Sequence, residues 1–184
     1  MAKIPRHITL SLLLTLVLQS LGLAQSAYIP WSKDTRLQWE DFQAEPNLNI
    51  IGYAQTSYKI EILPRNILVD ENNNIQNPNV LKAEAHFYKN ESWVFKKDDN
   101  LLAHEQLHFD IAALFAFKIR KEFSKLSKNK IRGFDTYLRV YKDLWRACDV
   151  LQKKYDRETN HGLNWDKNKI WIDTITGQLN EQLI

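Results

Sequence analysis

The sequence predicts an α+β domain. Three observations carry that prediction: apolar and polar residues alternate in the first half, an apolar period of about 3.6 residues rules the second, and the sheet-like stretch precedes the helix-like one. No internal repeat, low-complexity segment or glycine-rich phosphate loop interrupts the order.

The first element stands apart from the domain. Lys3 and Arg6, an apolar run from Ile8 to Leu23 and the small residues from Ala24 to Ala27 have the layout of a secretory signal. The run is shorter than the roughly 20 apolar residues that span a bilayer, so cleavage is expected, with no stable membrane insertion afterwards. Cleavage after Ala24 is preferred over cleavage after Ser26. It leaves residues 25–184 as one domain, periplasmic or secreted, of a size that needs no covalent staple.

Residues 28–46 are aromatic-rich without a clean period, and Trp31, Trp39 and Phe42 are expected to pack this segment down. Residues 53–63 alternate, with Ala54, Thr56, Tyr58, Ile60 and Ile62 on one face of a half-buried strand. A second alternation turns Leu81, Ala83, Ala85 and Phe87 inward and Lys82, Glu84, His86 and Tyr88 outward, which makes His86 a surface histidine. The Asn-dense residues 70–79 form the loop between the two strands. A helix begins at an Asp98/Asp99 cap and carries Leu101, Leu102, His104, Leu107, His108, Ile111, Phe115 and Ile119 at helical spacing. A second starts near Ile131, keeps a stripe through Phe134, Leu138, Tyr141, Leu144, Cys148, Leu151 and Tyr155, and ends around Gly162. Residues 170–183 form a short third helix with Trp171, Ile175 and Leu179 on one side.

Composition excludes several classes. The net charge is only +3, and Lys3 and Arg6 leave with the signal. The remaining cations alternate with acids along helical stretches, the pattern of a solvated face, so no nucleic-acid partner is expected. Cys148 is the sole cysteine, which rules out an intrachain disulfide, a cysteine zinc finger and a lipid anchor at the end of the signal. It is expected as a small buried apolar residue. Ser92 has no acid–base pattern around it and belongs to a turn.

The chemistry concentrates in His104-Glu105-Gln106-Leu107-His108, which matches HExxH inside a helix. Residues four apart share a helix face, so both imidazoles can reach one Zn²⁺ ion. Glu105, about 100° around the helix, stands beside the ion as a general base for water attack on a carbonyl. A catalytic zinc site usually has a third protein ligand. The HExxHxxGxxH arrangement fails, because Ile111 and Leu114 occupy the glycine and histidine positions and Met1 is the single methionine. The best source is the end of the second helix, residues 155–162, provided the two helices are antiparallel neighbours. His161 leads as third ligand, Glu158 follows, and Asp156 stands third. A carboxylate left unligated, at Asp156, Glu158 or Asp110, could orient a ligand imidazole. Tyr155 either stabilises a developing oxyanion or packs in the core.

These residues also carry a resemblance. Residues 102–112 (LAHEQLHFDIA) and 155–162 (YDRETNHG) are similar to the two signature blocks of a bacterial domain-of-unknown-function family described as predicted secreted zinc-dependent proteases. The likeness extends to Trp39, Phe42 and the Glu91-Ser92-Trp93 stretch, and departs from the pattern at Ala113, where an acid is expected. It implies a zincin-like domain in which a small antiparallel or mixed sheet packs on the HExxH helix and the second block supplies the remaining ligand. The expected partner is a peptide or protein substrate, paired with the edge of the strand at residues 81–88. A zinc-stabilised binding module without catalysis, or an amidase of cell-wall peptides, is the alternative.

Overall fold

The computed structural model describes residues 26–47, 49 and 52–183. The expected signal, residues 1–24, lies outside them. In chain order the described elements are β1 (Tyr28–Pro30), β2 (Ala54–Gln55), β3 (Tyr58–Leu63), β4 (Lys82–Tyr88), β5 (Trp93–Val94), α1 (Asp99–Lys128), α2 (Phe134–Thr159) and α3 (Trp165–Leu183), with short 3₁₀ turns between strands. Mixed α+β architecture is thus borne out. The main sheet is antiparallel in the order β1-β4-β3, and β2 pairs with β5 as a separate antiparallel ribbon.

α1 is the axis of the molecule, packing on β4, β3, α2 and α3. Asp98 caps it, its carboxylate accepting from Asn100 N at 3.0 Å and Leu101 N at 3.2 Å. Ala83, Ala85 and Phe87 bury the inner face of β4 against the buried Phe109, Ile111, Ala112, Ala113, Leu114 and Ala116 of the helix. The run of alanines lets helix and sheet approach closely. An acid at Ala113 would lie in this core. Phe87 sits at its centre, 5.1 Å from the ring of Phe42 and 5.9 Å from that of Phe109, so the aromatic N-terminal stretch does pack down as expected.

Three expectations change. The strand at residues 53–63 divides, because Thr56 Oγ1 donates to the Glu105 carbonyl (3.1 Å) and Ser57 N to Ser92 Oγ (2.9 Å), turning β2 away from β3. β4 is not a free edge: the aperiodic N-terminus supplies β1 along residues 86–88 on one side while β3 holds the other, so that stretch is closed to an extended peptide. His86 is not a surface residue. It is 2% exposed, stacked under the Tyr28 ring at 4.4 Å, with Glu61 and Glu84 close to its nitrogens. The helix ends also move. α2 stops at Thr159 because Asn160, His161 and Gly162 all take left-handed φ (49°, 53° and 82°). α3 starts earlier than residue 170, at Trp165, where the Asn164 side chain accepts from Lys167 N at 3.2 Å.

On the side of α1 facing Trp31, a cavity of about 510 Å³ is lined by Trp31, Arg36, Leu102, Gln106, Asp110 and Leu179 among others. Trp31 Nε1 and Gln106 Nε2 donate to Asp110 Oδ1 at 2.7 and 3.0 Å. Burial outweighs these donors and raises the Asp110 carboxyl above its ordinary value.

Two stability outcomes follow from this packing. Phe87→Ala should cost about 3–5 kcal/mol in urea unfolding, the usual result of emptying a large buried aromatic site. Asp110→Asn should stabilise the fold at neutral pH. A carboxyl whose pKa is higher folded than unfolded contributes stability that is present below its unfolded pKa and lost as pH rises through the folded one. The melting-temperature gain should therefore vanish as pH drops below the ordinary carboxylate range; a gain independent of pH would contradict it.

Candidate metal centre

α1 and α2 run antiparallel, as the third-ligand argument requires, so the last turns of α2 lie against the first turns of α1. His104 and His108 project from one face of α1, one turn apart, and Asp156 of α2 meets them. His104 Nε2 lies 3.1 Å from His108 Nε2, and Asp156 Oδ1 is 3.2 and 3.1 Å from the two nitrogens. These three are the one metal-capable grouping among the described residues. Around a tetrahedral ion with bonds of about 2.0–2.1 Å, neighbouring ligand atoms stand about 3.3 Å apart. The triangle therefore has the size of one face of such a polyhedron.

The donor chemistry agrees. Gln152 Nε2 donates to the His108 carbonyl at 2.9 Å, which turns Gln152 Oε1 toward His108 Nδ1 at 2.6 Å as an acceptor. Nδ1 therefore carries a proton, which leaves Nε2 as the nitrogen that points at the cluster and would bind an ion. Two imidazole nitrogens and a carboxylate oxygen so placed repel unless a positive charge, a proton or a metal ion, sits among them. Burial lowers the His104 pKa below that of an ordinary histidine. For His108 burial acts the same way, but the Asp156 carboxylate overrides it and raises the value. Burial pushes Asp156 upward, yet its hydrogen bonds to both imidazoles hold its carboxyl well below the usual carboxylate range. Glu105 faces the same cleft, a cavity of about 310 Å³, and its Oε2 is buried with no hydrogen-bond partner among the described residues. The set fits a divalent metal with a carboxylate beside it.

The ligand imidazoles are held by packing. The Tyr155 ring stacks on His104 at 4.5 Å and meets His108 edge-on at 5.0 Å. Gly162 closes in from another side: a Cβ there would fall 2.9 Å from His104 Cγ. Tyr155 as an oxyanion donor is corrected by this arrangement. It is fully buried, its hydroxyl donates to Asn168 Oδ1 and lies 3.3 Å from the His104 carbonyl, and it does not line the cleft. Its alternative role, packing, is the one seen.

His161 lines the cleft, but the structure brings Asp156 into the cluster in its place. His161 Nδ1 is 3.6 Å from Asp156 Oδ1, outside the three-atom grouping. Glu158 turns to Trp171 Nε1 at 3.0 Å, and Asp110 is engaged by Trp31 and Gln106, so neither orients a ligand imidazole. Gln152 does that, and the sequence reading passed over it. A signal existed: Gln152, Asp156 and Thr159 follow one another at spacings of four and three on α2, a polar row that a solvated helix face would not bury.

Zinc titration against a competing chelator checks the assignment. Asp156→Ala should abolish tight binding and His161→Ala should retain it; the reverse result would return the third ligand to His161. Gln152→Ala should weaken binding about 10–100-fold, the usual effect of removing a group that orients a ligand histidine. Gly162→Ala should also weaken it, by displacing His104.

No described helix is long and apolar enough to cross a membrane. No curated protein and no solved structure matches this chain. Residues 75–162, a little under half of the chain, match a family described as "Bacterial protein of unknown function (DUF922)", and that span holds β4, β5, α1, α2, the three clustered residues, Glu105, Gln152 and Gly162.

Proposed function

We propose that the protein is an exported zinc-dependent hydrolase that cleaves peptide bonds, with His104, His108 and Asp156 holding the metal and Glu105 as general base. The observation that carries this reading is the Glu105 carboxylate. A carboxyl oxygen buried without a hydrogen-bond partner is costly to maintain, and a module that used metal for shape alone would have no need of it. Zinc suits two imidazoles and a carboxylate with a position left open. When bound there, it would supply Lewis acidity toward the substrate carbonyl and the attacking water.

The chain's own residues do the rest. Glu105 Oε2 accepts a proton from a water in the cleft and returns it to the leaving amine. Gln152 keeps the His108 lone pair directed inward, and Tyr155 and Gly162 hold the His104 ring plane. β2, whose Ala54 and Gln55 line the cleft, pairs with β5 on one side alone, and its other edge takes the role first expected of residues 81–88. An extended peptide can lie along it.

Purified protein should contain one zinc per chain and begin near residue 25 after export. Glu105→Gln should keep that zinc while hydrolysis of a peptide library falls by about 100-fold or more. Absence of zinc would overturn the metal assignment, and undiminished turnover by Glu105→Gln would overturn the base.

A further inference from the structure

A second, smaller pocket of about 180 Å³ opens beside the metal cleft, lined by Tyr53, Lys96, Asp98, Leu101, Leu163 and Trp165 among others. The two openings share a rim. Gly52 lines the cleft and Tyr53 the pocket; His161 lines the cleft and Gly162 the pocket. Gly162 is also the residue that abuts the His104 ring, so the pocket wall and the wall behind a metal ligand are the same backbone.

Its lining sets four large side chains, Tyr53, Leu101, Leu163 and Trp165, beside Lys96, Asp98 and Asn100. Tyr53, Leu163 and Trp165 are 41%, 62% and 37% exposed, three large apolar side chains turned toward one small volume in place of the core. Phe95, also exposed, is tied alongside through Phe95 N to the Tyr53 carbonyl at 2.6 Å. The charged groups present are engaged at the border: the Asp98 carboxylate accepts from Asn100 N and Leu101 N, and the Lys96 ammonium lies 5.7 Å from the Tyr53 ring centre. The backbone maintains this exposure at a cost. Asn160, His161 and Gly162 adopt left-handed φ in succession, and the two non-glycine residues are strained there. That turn carries the chain from α2 to Leu163. Strain concentrated beside a ligand cluster, supporting an exposed leucine, marks a built surface.

We infer that this pocket seats a bulky apolar side chain, leucine- or phenylalanine-sized, of the peptide held in the metal cleft, at a residue adjoining the bond to be cut. The inference rests on the hydrolase reading for its cleavage step and on the pocket alone for its binding step. Continuity with the cleft selects the occupant: a chain extended across the metal ligands passes the shared rim, and a side chain of its next residue meets Tyr53, Leu163 and Trp165.

The test uses zinc-loaded protein with two readouts. Mass-spectrometric mapping of cuts in a proteome-derived peptide mixture should show bulky apolar residues enriched at one position flanking the bond. Leu163→Ala should reduce that preference roughly tenfold, and Leu163→Glu should remove it, with zinc content unchanged in both. In parallel, N-acetyl-phenylalaninamide should shift the Trp165 indole N–H resonance of the parent protein and leave Leu163→Glu unaffected. Cutting without a flanking apolar preference, or with one that neither variant alters, overturns the pocket while the hydrolase stands. A Trp165 shift without any cutting overturns the hydrolase while the pocket stands. Neither cutting nor a shift overturns both.

Discussion

Two imidazole nitrogens and a carboxylate oxygen held 3.1–3.2 Å apart in a shielded crevice resist one another, and much of the surrounding structure works to keep them there. The Asp98 cap starts α1 at a point that puts both histidines toward α2. The stacked Tyr155 ring and the close Gly162 backbone leave His104 little freedom to rotate away. The Gln152 amide, anchored by its own donation to the α1 backbone, settles which His108 nitrogen faces inward. Even the buried Asn168 participates at one remove, since it receives the Tyr155 hydroxyl that would otherwise lack a strong acceptor.

The part of this arrangement that lies within one helix was readable from the chain. His104, Glu105 and His108 need nothing but the period of α1 to come together. The α2 contribution depends on how that helix is rotated about its own axis, which an apolar stripe defines to about one residue in either direction. Following the stripe beyond Tyr155 pointed to Glu158 and His161, yet the seam with α1 runs one residue further round, along Gln152, Asp156 and Thr159. His161 was also reached by extending a helical period past its end, and Asn160 breaks that period with a left-handed turn. The sheet shows the same limit. β3 and β4 alternate as the pattern requires, whereas β1 has no internal period and is a strand solely because β4 offers it an edge. The centrality of β4 and the burial of His86 both come from that distant pairing.

The turn after α2 joins several duties in four residues. Asn160 ends the helix, His161 borders the cleft, Gly162 presses on a ligand ring and Leu163 projects outward. Because neighbouring residues act on neighbouring cavities, a backbone shift at Gly162 would reach both the His104 ring and the pocket wall, whereas a side-chain change at Leu163 stays on the pocket side.

The ligand set also joins parts of the chain that are far apart in sequence. His104 and Asp156 are 52 residues apart, with most of α1 and α2 between them, and the chain has no second cysteine with which to close such a loop. An ion bound at both ends would take the place of a disulfide: a cross-link over a loop of that length is worth about 4 kcal/mol in the chain-entropy picture. Unlike a disulfide, its contribution would rise and fall with the free metal around the protein, through the mass-action dependence of any ligand that binds the folded state alone. The durability of this fold would then be set by the metal supply of its surroundings as much as by its own core.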